Sequence, residues 1–171
     1  MNFDDVSALR SAGFAGFQKV SDLMIRGCLD IPDMPGVYLV ARLLDDPPRF
    51  LLTNEGGKTV NETVAKSVLE SKWVQGTVVL YFGKAGGSSQ SATLRTRIRQ
   101  LVRFGDKKAD NHKGGSYIWQ LANNRDLQVC CKVVVDREPA HVEAEMLHEF
   151  NSQYKRLPFA NRQLPTLPPA K

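Results

Sequence analysis

The chain is short of cysteine, of long apolar runs and of leader-like features, and each shortage removes a class of protein. Three cysteines stand among 171 residues, Cys28 alone and Cys130-Cys131 adjacent in an apolar segment. An odd count without paired spacing supplies neither a disulfide framework nor a zinc site. The three are read as buried thiols of a reducing compartment. Apolar runs such as Val78-Val79-Leu80-Tyr81-Phe82 fall far below the roughly 20 residues a spanning helix needs. The N-terminus opens Asn2, Phe3, Asp4, Asp5, not with the basic segment and apolar stretch of a signal peptide. These absences predict a soluble, cytoplasmic protein without a membrane partner.

What is present is a composition close to that of an ordinary globular protein, 42% apolar and 24% charged. It argues against disorder or a collagen-like repeat and gives one domain over residues 1–171. The net charge of +5 is unevenly spread. Residues 84–115 carry Lys84, Arg95, Arg97, Arg99, Arg103, Lys107, Lys108 and Lys113 against Asp106 and Asp110, a local +6 in a body of −1. A basic stripe on a near-neutral body is the electrostatic footprint of a phosphate-backbone binder, or else a solvated basic helix.

Local patterning divides the chain into elements. Residues 1–30 read as a helical extension, with Ser21-Asp22 capping Leu23, Met24 and Ile25. Gly36 to Val40 reads as a strand, and Phe50-Leu51-Leu52 as a short second one. Thr59-Val60-Asn61-Glu62 has the form of a capping box, ahead of a helix that buries Val60, Val64, Val68 and Leu69. Thr77 to Phe82 is apolar on both faces, which predicts a central strand. A Gly/Ser loop runs from Gly83 to Ser91, and Thr93 caps a helix over 94–104. Gly105 to Gly115 is polar and basic. Leu127 to Val135 reads as a strand, and Pro139 opens a helix to about Tyr154. Residues 164–171 form a proline-rich, extended tail.

Two helical wheels place a charge on an apolar face. With Arg95 at zero and about 100° per residue, Leu94, Ile98, Leu101 and Val102 fall between roughly 240° and 340°. Arg95, Arg99 and Arg103 form a ridge between zero and about 80°, while Arg97 falls near 200°, on the flank of the core. An arginine there needs an anionic partner from the protein or from a ligand. With Ala140 at zero, Val142, Met146, Leu147, Phe150 and Tyr154 span roughly 200° to 340°, and Glu143 falls near 300° among them. A carboxylate so aimed is paired, protonated or metal-bound, unless it lies near enough to the helix end to favour the dipole.

Two other motifs carry less. His141, Glu145, His148 and Glu149 share the opposite face of that helix, but the carboxylate-bridged sites that use Glu-x-x-His need a second copy. A solvated polar face is the better reading. Gly83-Lys84-Ala85 lacks the Ser/Thr and the upstream glycine of a P-loop.

Taken together, these positions resemble the GIY-YIG nuclease superfamily. Gly36-Val37-Tyr38 matches the first motif and Tyr81-Phe82-Gly83 the second, with Lys84-Ala85 continuing it as in the excision-repair members. Leu94-Arg95-Thr96-Arg97 matches the Leu-x-x-Arg helix, Glu143-Ala144 with Met146-Leu147 the glutamate helix, and Pro158-Phe159-Ala160-Asn161 the closing Pro-x-x-Asn. Three features depart from the pattern. Residues 42–76 form an insertion between the two motif strands, the turn after Lys84 is longer and richer in Gly and Ser, and Leu101 stands where some restriction-type members carry histidine. His112 is a possible substitute for it.

The resemblance implies an α+β fold, a small, mostly antiparallel central sheet flanked by helices, and metal-dependent hydrolysis of DNA phosphodiesters. Glu143 would hold one Mg²⁺ or Mn²⁺ ion and Arg97 would contact the scissile phosphate. Tyr38 and Tyr81 would lie near the attacking water, either one orienting or deprotonating it, with Lys84 beside them. Asn161 would orient the site. Arg95, Arg99, Arg103, Lys107, Lys108 and Lys113 would bind the nucleic-acid backbone. Concerted cutting of both strands at a symmetric site would require a homodimer. Restriction or defence is the role expected of so compact a chain. The alternatives are a non-catalytic nucleic-acid-binding protein on the same scaffold and a structure-selective repair or recombination nuclease.

Overall fold

A computed structural model describes residues 1–56, 63–88, 91–106 and 115–167. The fold is α+β: a four-stranded antiparallel sheet with helices on both faces. The strands are β1 (Ala15–Lys19), β2 (Gly36–Ala41), β3 (Val79–Ala85) and β4 (Gln128–Val133), in spatial order β1-β4-β2-β3. Among the described residues six α-helices accompany them: α1 (Val6–Ser11), α2 (Val20–Arg26), α3 (Lys66–Lys72), α4 (Leu94–Gly105), α5 (Gly115–Ile118) and α6 (Pro139–Tyr154). No described helix is long and apolar enough to cross a membrane.

Strand alternation builds two cores. Tyr38, Val40, Leu80, Val129 and Cys131 face α2 and α4, while Val37, Leu39, Val79, Phe82 and Cys130 face α1 and α6. Hence β2, lying between β3 and β4, is buried at all six positions. Thr93 accepts a hydrogen bond from the Thr96 N–H and starts α4 as its sequence predicts. The α4 stripe of Leu94, Ile98, Leu101 and Val102 is buried against the sheet. On the other face, Phe3, Phe82 and Phe150 form an aromatic knot under α6. All three cysteines are buried and free, and burial raises their thiol pKa values, for Cys28 and Cys131 to about 11.

Several expectations need correction. The N-terminal extension is not wholly helical, because Ala15–Lys19 forms β1, and α2 begins at Val20 without a side-chain cap. Phe50 contributes only an isolated bridge to Leu121. Of the segment expected to be a helix from Thr59, residues 59–62 lie outside the described set; α3 buries Leu69 but leaves Val68 exposed. Most consequentially, β3 is an edge strand. Both its faces are apolar because helices cover both, not because strands flank it on both sides.

The free edge of β3 is closed by other means. Val78 N–H donates to Phe3 O, Ala160 N–H donates to Leu80 O, and the Asn161 amide bonds both the N–H and the C=O of Phe82 at 2.9 Å. Residues 42–76 reinforce that closure. Phe50 stacks on Phe159 and Trp73 meets it edge-on, directly before Asn161. The same segment is tied to the chain after α5 through Gln120, whose amide bonds Leu51 O, Val64 O and Val64 N–H.

Two motif glycines are dictated by close approach. Gly36 would bring a Cβ within 2.2 Å of Lys132 O, and Gly83 within 2.5 Å of the Tyr38 ring. Gly83→Ala is therefore expected to destabilise the fold by about 1–3 kcal/mol, the usual cost of overpacking. Urea unfolding measures this, and an unchanged midpoint would refute the packing of Tyr38 over Gly83.

Candidate functional site

The register of β2 and β3 sets the tyrosines together. Tyr38 pairs with Gly83 and Val40 with Tyr81, so the two rings lie diagonally on one face, with centroids 6.0 Å apart. Tyr38 is fully buried, whereas Tyr81 reaches the wall of a cleft of about 1010 Å³. Lys84, Glu143, Asn161 and Arg162 line the same cleft.

Glu143 enters this cleft from α6 and Lys84 from β3. Their charged groups are 3.1 Å apart, with the Glu143 side chain 14% exposed and that of Lys84 35%. Of the alternatives open to a carboxylate on an apolar face, the ion pair is thus realised in the free protein. The Glu143 carboxyl is nonetheless pushed up from its ordinary pKa. Burial is the main cause, and it outweighs the downward pull of Lys84 and, after it, Arg97.

Arg97 approaches from α4 on the other face of the sheet. One terminal nitrogen donates to Gln100 Oε1 at 2.7 Å, while its Nε is buried without an acceptor among the described residues. A buried donor left unmet costs about 1–3 kcal/mol. Arg97 nevertheless acts electrostatically on Tyr38, Tyr81 and Glu143.

Both phenols resist ionisation. Burial is the chief cause, raising Tyr81 to about 12 and Tyr38 well above its ordinary value. A hydrogen bond between the two hydroxyls also contributes to both shifts. Asn161 touches no reacting position directly, since its amide is committed to Phe82.

The basic ridge is only partly as expected. Arg99 and Arg103 are exposed on the outer side of α4. Arg95 is instead held down, its Nε donating to Ile31 O at 2.9 Å and a terminal nitrogen lying 3.4 Å from Asp33. Lys107, Lys108, Lys113 and His112 lie outside the described residues. The second face of α6 is dispersed: Glu145 pairs with Arg137, Glu149 with the N-terminal amine, and His148 meets Pro165 O.

Among the described residues no three His, Cys, Asp or Glu side chains gather around one point. The donor set therefore does not fit a protein-caged ion. It does fit a Mg²⁺-type ion held by one carboxylate and otherwise by water and substrate oxygens, provided Lys84 yields its place on Glu143. A residue without a sequence signal also shapes the site. Glu138, just before α6, accepts the Ser88 N–H with both oxygens, at 3.2 and 3.3 Å, and holds the turn after Lys84. Gly87, at φ +109°, leaves room for that carboxylate.

No family model matches the chain, and neither a curated protein nor a solved structure does.

The raised pKa of Glu143 carries a stability consequence of definite sign. A carboxyl whose pKa is higher in the folded state binds its proton more tightly there. Its stabilising contribution is full below the unfolded carboxyl pKa and is lost as pH rises through the folded value. Ionised Glu143 thus lowers stability at neutral pH. Glu143→Gln is expected to melt at or above the wild type at neutral pH, the gap closing as pH falls into the carboxyl range. A clearly lower melting temperature at neutral pH would make the Lys84 pair a net brace of the fold.

Proposed function

We propose that this protein is a metal-dependent endonuclease hydrolysing DNA phosphodiesters at a GIY-YIG-type site, in keeping with a role in restriction or defence. One observation carries the reading. Across the edge strand β3, a largely buried carboxylate on α6 and a guanidinium on α4, whose buried Nε–H meets no acceptor among the described residues, act electrostatically on each other and on a tilted pair of tyrosines. A fold with no further use for them would keep neither group under these conditions.

Each side chain then has a defined task. Arg97 Nε points its free N–H at a phosphate oxygen and offsets charge gained in the transition state. Glu143 would hold a Mg²⁺ or Mn²⁺ ion, which supplies charge stabilisation at the leaving oxygen when bound. Lys84 holds the Glu143 seat in the free protein and, displaced from it, brings an ammonium to the substrate side of the cleft. Tyr81 is the tyrosine within reach of the attacking water. Both phenols stay protonated at neutral pH, so Tyr81 orients that water by hydrogen bonding, and Tyr38 fixes Tyr81 through the hydrogen bond between their hydroxyls. Asn161 positions β3. Arg99 and Arg103 neutralise backbone phosphates outside the cleft. Two copies of the chain would be needed to cut both strands of a symmetric site together.

Relaxation of supercoiled plasmid with and without Mg²⁺ or Mn²⁺ tests the reading. Glu143→Ala is expected to abolish metal-dependent nicking in a folded protein, and full activity would sink the assignment. Arg97→Ala should lower turnover by about 10²–10³-fold, or roughly 2.7–4 kcal/mol, as loss of one transition-state donor does; unchanged turnover would leave it a structural arginine. Tyr81→Phe should cost more than Tyr38→Phe. The reverse order would exchange their roles.

A further inference from the structure

Two cations line the cleft beside Glu143. Lys84 is engaged by the carboxylate, whereas Arg162 is exposed and forms no ion pair among the described residues. An exposed arginine near a chain end is ordinarily a solvated charge. Arg162 differs because its segment is fastened on both sides. Asn161, immediately before it, is buried and bonded to both backbone groups of Phe82. Three residues on, the Pro165 carbonyl lies 2.8 Å from His148 Nε2 on α6. A carbonyl only accepts, so the histidine nitrogen is the donor. Residues 162–164 therefore span the cleft mouth from the edge of β3 to α6, and a ligand bears little of the ordering cost.

The α4 cations lie on the opposite face of the sheet from α6. We propose that Arg162 is a further backbone-phosphate contact, at the cleft that Lys84 and Glu143 line. The nucleic-acid strand then crosses the edge of β3 between α4 and the 161–167 segment instead of following the α4 ridge alone. Two phosphate oxygens suit the planar fork of an arginine. This inference rests on the nuclease reading of the site.

Fluorescence anisotropy of a labelled DNA duplex, titrated in EDTA over a range of KCl concentrations, tests it without cleavage. Arg162→Gln should weaken binding several-fold at low salt. It should also make the slope of log K against log salt shallower by about 0.9, the release due to one phosphate contact. Arg162→Lys should restore the slope, with melting temperatures unchanged throughout. Arg125→Gln, beside the β1 edge, is the control for bulk charge and should leave the slope as it is. Equal slopes for wild type and Arg162→Gln, or equal effects of the Arg162 and Arg125 variants, would overturn the contact and leave the nuclease reading standing. A wild-type protein that fails to bind DNA would overturn both.

Discussion

The amide of Asn161, bonded to both the N–H and the C=O of Phe82, does for β3 what a neighbouring strand would otherwise do. An unpaired sheet edge exposes a row of backbone donors and acceptors that can recruit another chain. Here one side chain, the Ala160 N–H and the Phe3 carbonyl satisfy that edge without covering it. Because no strand among the described residues lies outside β3, side chains from both of its faces reach one cleft: Tyr81 on the α4 side and Lys84 with Glu143 on the α6 side. A fifth strand in that place would separate them. The aromatic contacts of Phe50 and Trp73 with Phe159 give residues 42–76 a structural purpose, since they fix the turn that delivers Asn161.

The electrostatics of the cleft turn on desolvation being stronger than pairing. Lys84 lies against Glu143, yet burial still raises the carboxyl pKa. Such a pair adds little net stability, because buried ion pairs recover their hydration cost incompletely. Arg97 is the complementary case, a cation with one hydrogen bond to Gln100 and a buried Nε–H unmet among the described residues. The two incomplete groups stand on opposite faces of the sheet, and the tyrosine pair lies between them.

Much of this was legible in the sequence wherever periodicity governs. The wheels singled out Arg97 and Glu143 because a helix face has a fixed angular order, and the Thr93 and Pro139 boundaries are local chemistry. The α+β class followed from the order of the motifs. Legibility failed where tertiary contacts decide. Val79 to Phe82 carries no mark that distinguishes an interior strand from an edge strand covered by helices. Ala15–Lys19 has no β-branched residue and forms a strand only because β4 offers it a partner. Arg95 appears on the wheel as a free ridge cation, and only the chain reversal at Ile31–Asp33 shows why it is held. Glu138 and the fastening of Pro165 by His148 depend on contacts across 50 and 17 residues, beyond any local pattern.

The irregularity where Val40 pairs with Tyr81 but Ala41 pairs with Val79 also has a consequence for how the strand can vary. Leu80 is the extra residue, and with it the strand changes phase: Val79 and Phe82 face α6, while Leu80 and Tyr81 face α4. The bulge divides β3 into a part before Leu80 that anchors the sheet and a part after it that carries the tyrosine, the glycine and the lysine. Removing Leu80 would restore plain alternation with Val79 still facing α6 and Tyr81 still facing α4, at the loss of one buried side chain from the core beneath α4. The bulge is thus a point at which β3 can shed a residue without turning Tyr81 from Tyr38, whereas a one-residue deletion between Tyr81 and Lys84 would swing Lys84 to the other face and away from Glu143.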